Sequence, residues 1–273
     1  MTEAKRKAYR LEVCADSIAS VKAAAAGGAD RIELCDNLII GGTTPSPVFY
    51  EQVKRAVNLP VHILVRPRFG DFLYSAEEID RMAGEIKAFH GLGVEGFVIG
   101  ALCPDGSLNT VALRQLMQAA EGARFVLHRA FDMTSDLQHS LKQAIELGFT
   151  GILTSGGEGS ALQGAEMLKR LKKIAAGQLE IIAGAGIDSA NLKDLLAQTG
   201  AGVYHLSGKK RLVSQMQYRN EKVFMGLPGF SEYESFVTDE AEIRKVAAIL
   251  MAAERSANVN ILAENDCDCN DGG

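Results

Sequence analysis

The sequence lacks the long apolar segment that a membrane helix requires. None of its apolar runs reaches the roughly 18–20 residues needed to cross the hydrocarbon core of a bilayer. It also lacks an excess of positive charge, because 29 Lys and Arg residues are set against 34 Asp and Glu residues and the formal net charge is −5. A negative net charge gives no electrostatic reason to bind nucleic acid or an anionic membrane. We therefore expect no nucleic-acid partner and no membrane partner.

A disulfide framework and an export signal are missing as well. The five cysteines are odd in number and are not spaced as in small disulfide-rich domains. The first residues, MTEAKRKAY, are basic and polar, and no apolar segment of the kind found in secretory signals follows them. Free thiols suit a reducing compartment, so the sequence predicts a cytoplasmic protein.

Eight β-rich apolar segments alternate with amphipathic helical segments along the chain. The predicted strands are YRLEVCA (9–15), RIELC (31–35), VHILVRP (61–67), GFVIGA (96–101), RFVLHRA (124–130), GILTSG (151–156), EIIAGAG (180–186) and GVYHLSG (202–208). Eight strands that are each followed by a helix, within roughly 250 residues, are typical of a single (β/α)8 TIM barrel. An open, doubly wound sheet is the alternative, although it usually has fewer strands at this length.

This alternation divides the chain into a basic tail (1–8), a TIM-barrel domain (9–256) and an acidic tail (257–273) that is expected to be disordered. The last helix is expected to run from about Asp239 to Arg255. The segment 209–238 is too long for an ordinary connection between strand and helix and follows the eighth strand, so we expect it at the C-terminal face of the barrel. It could close over a ligand or pack against a partner subunit, which leaves a homo-oligomer open.

Two similar segments, RLEVCADS (10–17) and RIELCDNL (31–38), place an acid and a thiol at alternate positions of consecutive strands. Side chains alternate between the two faces of a strand, and the apolar neighbours belong on the helix side. This predicts that Glu12, Cys14, Glu33 and Cys35 point into the barrel. The third and fifth strands send further side chains toward the axis or the mouth, namely His62, Leu64, Arg66, Arg68, His128, Arg129 and Asp132.

Polar residues therefore gather at the C-terminal ends of the strands, where barrel enzymes carry their active sites. The alternative is a purely structural network, for example an ion pair of Glu33 with Arg66.

Several kinds of catalytic site lack their residues. No predicted strand has an inward Lys, which disfavours Schiff-base chemistry. The histidines at 62, 90, 128, 139 and 205 are scattered, which disfavours a multi-histidine metal site. Strands four and seven end without a carboxylate, which disfavours a barrel glycosidase with its pair of acids there. A proton-transfer site remains, with Glu12 or Glu33 as base, His128 as acid, Asp132 orienting His128, and arginines polarising a carbonyl. Such a site suits an isomerase or lyase that acts on a small anionic metabolite.

The ends of the seventh and eighth strands, AGAGID and HLSGKK, predict an anion site. Small residues let backbone N–H groups approach a ligand, and barrel enzymes commonly bind phosphate at these two strands. The candidate residues are Gly184, Gly186, Ser207 and Gly208, and the guanidinium groups of Arg66, Arg68 and Arg129 could clamp an anion from the opposite side. Plain turns are the alternative explanation for the glycines.

The two inward thiols suggest a soft metal. Neighbouring strands lie about 4.8 Å apart, so Cys14 and Cys35 could jointly hold Cu(I). The shear of a barrel tends to place inward residues of adjacent strands in alternate layers, and buried cysteines often only pack. Cys267 and Cys269 in the tail could also bind a thiophilic metal.

Taken together, the motifs LEVCADS, GGADRIELCDNLIIGGTTPS, VRPRFGDFLYS, EGFVIGAL, HRAFDM, LTSGG and YRNEKVFMG resemble the CutC family of copper homeostasis proteins, from about residue 10 to residue 238. The resemblance implies a cytoplasmic TIM-like barrel, a role in copper tolerance, and Cu(I) binding through cysteines, here Cys14 and Cys35. The matching polar pocket residues are Glu12, Glu33, Arg66, Arg68, His128, Asp132, Thr154 and Ser155. The fold and polar mouth of the family also look like those of an enzyme acting on an unidentified small anionic or phosphorylated metabolite.

Overall fold

The computed structural model describes residues 7–226, 229 and 231–267, with side chains described as far as residue 256. Eight strands form the central sheet: β1 (Arg10–Ala15), β2 (Arg31–Leu34), β3 (Val61–Leu64), β4 (Gly96–Ile99), β5 (Arg124–Leu127), β6 (Gly151–Thr154), β7 (Glu180–Gly184) and β8 (Val203–Leu206). They pair in parallel in chain order, and β8 returns to pair with β1, so the barrel is closed. The prediction of a (β/α)8 TIM barrel is confirmed, and an open sheet is excluded.

Eight α-helices accompany the strands in the described part of the chain: α1 (Ile18–Gly27), α2 (Pro47–Ala56), α3 (Ala76–Gly91), α4 (Thr110–Gln118), α5 (Leu137–Leu147), α6 (Ala165–Ala175), α7 (Leu192–Thr199) and α8 (Glu240–Cys267). Local sequence fixes several helix starts. Ser17 caps α1, and Ser75 forms a capping box with Glu78 at α3. None of these described helices is long and apolar enough to cross a membrane.

The last helix is longer than the sequence predicted. It continues to Cys267 instead of ending near Arg255, so its backbone extends through much of the tail that was expected to be disordered. Residues 240–267 contain neither Gly nor Pro, and no residue type in this stretch therefore forces the helix to stop. Residues 1–6 of the basic tail and 268–273 of the acidic tail, with Cys269, lie outside the described residues.

The barrel wall separates two apolar clusters, as the alternation along the strands predicted. Leu11, Val13, Ile63 and Val65 lie in the large cluster between the strands and the helices. A smaller cluster fills the interior of the barrel and consists of Cys35, Leu64, Val98, Val126, Leu153, Ile182 and Val203. Parallel strands covered by helices are buried on both faces, which is why the strand segments read as nearly continuous apolar runs. Polar side chains inside the barrel therefore need a partner or a ligand.

The segment after β8 forms an antiparallel ribbon of β9 (Lys209–Val213) and β10 (Glu234–Thr238). Lys209 begins this segment and Asp239 directly follows it, and both residues line a cavity at the mouth of the barrel. This agrees with the predicted position of the segment at the C-terminal face. The ribbon and its connection carry exposed apolar side chains, among them Leu212, Met216, Phe224 and Met225. The segment thus stands beside the mouth as a separate element.

Candidate active site

A cavity of about 870 Å³ opens at the C-terminal end of the barrel. Eight predicted site residues line it: Cys14, Glu33, Arg66, His128, Arg129, Gly186, Ser207 and Gly208. The remaining predicted residues lie outside its lining: Glu12, Cys35, Arg68, Asp132, Thr154, Ser155 and Gly184. Eight of the fifteen predicted site residues therefore share one cavity, and the other seven have contacts elsewhere.

A buried ion-pair chain crosses the interior beneath the cavity. Glu12 on β1 is in register with Arg31 on β2 and with His205 on β8, so all three side chains point inward at one level. One carboxylate oxygen of Glu12 accepts a hydrogen bond from Arg31 Nε, and the other lies 2.7 Å from His205 Nδ1. Burial favours the neutral acid, but the charges of Arg31 and His205 outweigh it and hold the pKa of Glu12 far below its usual range. Glu12 is therefore an ionised structural partner and a poor general base.

Glu33 has the opposite character. It lines the cavity, is almost fully buried, and its Oε2 atom has no hydrogen-bond partner among the described residues. Burial and the nearby negative charge of Glu12 raise the pKa of Glu33 to about 7, although His205 and Arg31 act against this rise. A carboxyl group that titrates near neutral pH and faces a cavity can accept a proton from a bound molecule.

His128 follows β5 and lines the cavity beside Phe72. Its Nδ1 accepts the backbone N–H of Ala130 at 3.1 Å, which assigns the ring hydrogen of the neutral imidazole to Nε2. Burial and the charge of Arg66 lower the pKa of His128 to about 3, so the ring is neutral at physiological pH. Its Nε2 has no partner among the described residues, so a buried N–H donor faces the site without an acceptor.

Glycine provides the space for that imidazole. A Cβ atom at Gly100, just after β4, would lie 2.4 Å from the Cε1 atom of His128. The absence of a side chain at Gly100 therefore lets the ring pack against the neighbouring strand end.

Arg66 is a buried cation that has no carboxylate partner among the described residues. Its guanidinium donates hydrogen bonds to the carbonyl oxygens of Ile40, Gly42 and Gly70, and its Cζ lies 5.2 Å from the ring centroid of Phe72. Among the described residues it forms no salt bridge, and its buried Nε has no partner. The alternative prediction of a structural Glu33–Arg66 ion pair is therefore wrong. The loops that follow β2 and β3 supply these carbonyls and thereby hold the charged guanidinium of Arg66 at the edge of the cavity.

Asp132 organises the loop after β6. Its carboxylate accepts hydrogen bonds from the Thr154 hydroxyl and from the backbone N–H groups of Ser155 and Gly157, and it pairs with Arg129 Nε at 2.8 Å. No hydrogen bond joins it to His128 among the described residues, so the prediction that Asp132 orients His128 is not supported by the geometry. The hydroxyls of Thr154 and Ser155 are fully buried in this network, which accounts for their absence from the cavity lining. Arg129 connects the network to the cavity.

Arg68 is directed away from the cavity. Its guanidinium pairs with Glu78 Oε1 at 2.6 Å and with Asp71 Oδ1 at 3.1 Å, and it donates to the carbonyl oxygen of Leu73. Two carboxylates therefore satisfy this cation at the start of α3. The expectation that Arg68 clamps an anion together with Arg66 does not agree with these contacts.

The β7 and β8 side of the mouth contains part of the predicted anion site. Gly186, Ser207 and Gly208 line the cavity, whereas Gly184 packs inward, where a Cβ would lie 2.6 Å from Leu153 Cδ1. Between the glycines, Ala185 adopts a left-handed backbone with φ of 86°, an unfavourable conformation for a residue with a side chain. Strained backbone of this kind is concentrated at functional sites.

The two predicted cysteine ligands differ in their surroundings. Cys14 lines the cavity, whereas Cys35 is completely buried in the interior cluster and its Sγ lies 3.6 Å from the carbonyl oxygen of Ala15. Cys14 is in register with Glu33, and Cys35 lies two residues after Glu33, just beyond the end of β2. Burial and the proximity of Cys14 raise the pKa of Cys35 well above its usual range, so Cys35 is held as the neutral thiol.

Three contributors to the site were not predicted. His205 and Lys209 line the cavity, and Phe72 packs against both Arg66 and His128. The alternation in VYHL marks His205 as inward, since Val203 two residues earlier lies in the interior cluster. A corresponding signal for Phe72 is absent, because the residue lies in an irregular loop whose path is set by tertiary contacts.

Potential metal ligands also meet inside the barrel. Glu12, Glu33 and His205 each offer one ligand atom, and these atoms lie within 4.8 Å of one another. Both oxygens of Glu12 are already engaged by Arg31 and His205. Glu33 is therefore the carboxylate of this group with an oxygen that has no partner in the described part of the chain.

Comparison with known proteins gives a consistent family assignment. The profile of the CutC family matches residues 9–210. A human protein named copper homeostasis protein cutC homolog is 42% identical over 242 residues, which cover 88% of this chain and 89% of the human one. A CutC family protein of Chromobacterium violaceum is 40% identical over 240 residues, covering 88% of this chain and 97% of its own. The crystal structure of a putative copper homeostasis protein CutC from Streptococcus agalactiae superposes with a TM-score of 0.70 at 30% identity, covering 73% of this chain and 98% of that one.

Proposed function

This chain belongs to the CutC family, and from its cavity we propose that it is an enzyme that binds a small anionic metabolite and moves a proton on it. The reaction class is that of an isomerase or lyase. Glu33 is the base, and Arg66 and His128 hold the negatively charged or developing oxygen of the substrate.

The unpaired charge of Arg66 carries this proposal. A buried charge without an ionic partner is costly, because hydrogen bonds to neutral carbonyls replace only part of its hydration. Arg66 is 7% exposed and its Nε faces no acceptor among the described residues. An anion in the cavity would supply the missing charge and the missing acceptor together. A guanidinium needed only for stability would be expected to face a carboxylate, as Arg31 and Arg68 do.

His128 complements Arg66. Its Nε2–H is a neutral donor held in place by the Ala130 amide, by Phe72 and by the space at Gly100. Because protonation of this ring requires acid pH, we assign it a hydrogen-bonding role toward a substrate oxygen in place of the general-acid role that the sequence suggested. A preorganised donor of this kind stabilises the oxyanion that forms when a proton leaves the carbon next to a carbonyl.

Glu33 supplies the basic oxygen. Because its pKa is about 7, Glu33 is partly ionised at neutral pH, and its ionised form accepts a proton more readily than an ordinary carboxylate does. Oε2 has no partner among the described residues, so it is available for the substrate. Glu12 is excluded from this role because both of its oxygens are engaged.

The opposite side of the cavity would take a second anionic group of the substrate. Gly186, Ser207 and Gly208 line this side, the cation of Lys209 follows Gly208 in the chain, and Arg129 also lines the cavity. A phosphorylated substrate placed with its phosphate here would direct its other end toward Glu33 and Arg66.

Calorimetric titration with small carboxylates, the kind of group assigned to the Arg66 side of the cavity, tests this function. We expect the wild-type protein to bind at least one of these anions and Arg66→Met to lose at least tenfold in affinity. The matched control is Arg68→Met, which removes a guanidinium that already has two carboxylate partners and should leave the affinity unchanged. Binding that survives Arg66→Met, or no binding to the wild type, would contradict the proposal.

Copper binding is a second candidate, with copper as the transported or buffered species. The observation that favours it is the position of Cys14 on β1 and of Cys35 just after the end of β2, both inside the barrel and close enough for Cys14 to raise the pKa of Cys35. Thiolates are preferred Cu(I) ligands, and binding would require Cys35 to lose its proton.

A competition titration with a coloured Cu(I) chelator tests this candidate. It should use the full chain with Cys267→Ser and Cys269→Ser, so that the tail thiols do not contribute. We expect a single Cu(I) site that disappears in the additional Cys14→Ser/Cys35→Ser variant and persists in Cys103→Ser. Unchanged binding in the double variant would eliminate this candidate.

We also propose a cytoplasmic location. Cys14, Cys35 and Cys103 are all free thiols, as is usual in a reducing compartment. Subcellular fractionation of cells that express the full chain should recover it with cytoplasmic markers, and recovery with an exported fraction would contradict this location.

A further inference from the structure

A smaller recess lies at the N-terminal end of the barrel, opposite the cavity at the mouth. Its volume is about 190 Å³, and its lining includes Arg10, Arg31 and Arg124, which are the first residues of β1, β2 and β5. His62 on β3 lines it as well. Neither Arg31 nor His62 lines the cavity at the mouth, and the functions proposed above do not use this end of the barrel.

Two buried polar atoms of this lining have no partner. Arg31 is 8% exposed and His62 is 2% exposed. Arg31 Nε donates to Glu12, whereas Arg31 Nη2 and His62 Nδ1 have no hydrogen-bond partner among the described residues. Buried polar groups are nearly always satisfied, because an unmade hydrogen bond is costly there. The two atoms therefore indicate a ligand in the recess.

The register of the strands keeps the space between two of these side chains open. His62 on β3, Gly96 on β4 and Arg124 on β5 are in register, so they form one row across three strands. A Cβ atom at Gly96 would lie 2.7 Å from His62 Nε2. The glycine therefore makes room for the imidazole, and no side chain of β4 stands between His62 and Arg124.

We propose that this recess binds an oxyanion, namely a phosphate group. Arg31 Nη2 and the guanidinium of Arg124 donate hydrogen bonds to its oxygens, and His62 donates a third one from Nδ1. Arg124 forms no salt bridge within the described part of the chain. A water molecule would satisfy the two buried atoms but would not compensate the charge of Arg124, whereas an oxyanion does both.

The surroundings of the recess are rich in positive charge, although the whole chain has a formal net charge of −5. An adjoining recess of about 650 Å³ shares Arg10 and Val203 with the smaller one. One carboxylate, that of Glu180, lines it together with five cations: Lys7, Arg10, Lys169, Lys172 and Lys173. Such a surplus of cations raises the local concentration of anions.

The smaller recess also has three carboxylates in its lining, those of Glu12, Asp30 and Glu95. Glu12 pairs with Arg31, and Asp30 pairs with Lys7, so cations already compensate both charges. Glu95 is exposed, and water and salt screen its charge. These carboxylates therefore leave the recess suitable for an anion.

Crystals soaked in inorganic phosphate locate the site without any substitution. We expect a phosphate in the smaller recess, with one oxygen within hydrogen-bond distance of Arg31 Nη2. A recess in which ordered water alone contacts Arg31 Nη2 and His62 Nδ1 would overturn the proposal.

Calorimetric titration of the full chain with inorganic phosphate tests the site in solution. Arg124 is exposed, so Arg124→Met should keep the fold and should weaken binding about tenfold or more. The matched control is Arg114→Met, which removes an exposed guanidinium outside both recesses and should leave the affinity unchanged. Equal affinity of the wild type and Arg124→Met would also overturn the proposal.

The phosphate group can come from inorganic phosphate or from a phosphorylated metabolite, whose remainder would occupy the larger recess. Titration with glycerol phosphate separates these sources. Tighter binding than that of inorganic phosphate, with the preference lost in Lys169→Met/Lys173→Met, identifies the ester as the ligand, and equal or weaker binding identifies inorganic phosphate. The cavity at the mouth is tested with carboxylates and Arg66→Met, so failure of this site and failure of the enzymatic function are distinguishable.

Discussion

His205 Nδ1 and Glu12 Oε1 lie 2.7 Å apart inside the barrel and join β8 to β1 at the point where the sheet closes. Arg31 on β2 holds the other oxygen of the same carboxylate. Three strands therefore meet in one buried ionic group directly below the cavity. This group sets the electrostatics of the site, because it keeps Glu12 ionised and leaves Glu33 as the carboxyl group that can change its charge.

Removing Arg31 should destabilise the protein strongly. Arg31→Met leaves the buried Glu12 carboxylate with His205 as its remaining partner, and loss of one partner of a buried ion pair costs about 3–5 kcal/mol. Urea unfolding should show this loss in the free energy of unfolding. The double variant Arg31→Met/Glu12→Gln should recover part of it, because no unbalanced carboxylate is left. A double variant that is less stable than Arg31→Met would contradict this view of the pair.

Glu33 should make the wild type less stable as the pH rises toward neutrality. Its pKa is raised from 4.5 to about 7 in the folded state, so between these pH values the folded protein holds a proton that the unfolded chain has released. The free energy of unfolding therefore falls through this range, by roughly 3 kcal/mol for this group at about 1.4 kcal/mol per pH unit.

Urea unfolding of the wild type and of Glu33→Gln between pH 4.5 and 8 measures the effect. We expect the stability of the wild type relative to the variant to decline up to about pH 7 and then to stay constant. A difference that does not depend on pH would show that Glu33 titrates normally.

Asp132 should be needed for stability. Its carboxylate accepts hydrogen bonds from the Thr154 hydroxyl and the backbone of the loop after β6, and an amide would place a donor against these donors. Asp132→Asn should therefore cost about 2–4 kcal/mol in urea unfolding. The control is Asp136→Asn, which changes the cap of α5 to an equally good capping residue and should cost less than about 0.5 kcal/mol. Equal effects of the two substitutions would contradict the assigned role.

The fold and the inward side chains could be predicted because they follow from local periodicity. Alternation along the strands placed Glu12, Cys14, Glu33 and Cys35 inside, and the structure confirms each of them. The same rule applied to VYHL would have found His205. These predictions hold because a strand buried on both faces leaves each side chain only two directions.

The partners of the loop residues could not be predicted in this way. Arg66 and Arg68 are two positions apart in one irregular segment, yet Arg66 faces the cavity and Arg68 pairs with Glu78. Asp132 likewise binds the loop after β6, 22 residues further along the chain at Thr154. Such choices depend on where distant loops place their carbonyl and carboxylate groups, and no sequence period encodes that placement.

The position of a bound anion tests the central claim most directly. Crystals grown or soaked in a small carboxylate should show its anionic group within hydrogen-bond distance of Arg66 Nε, with His128 Nε2 as a second donor. An Arg66 side chain that bonds Glu33 in those crystals, or a cavity in which no anion contacts Arg66, would contradict the account.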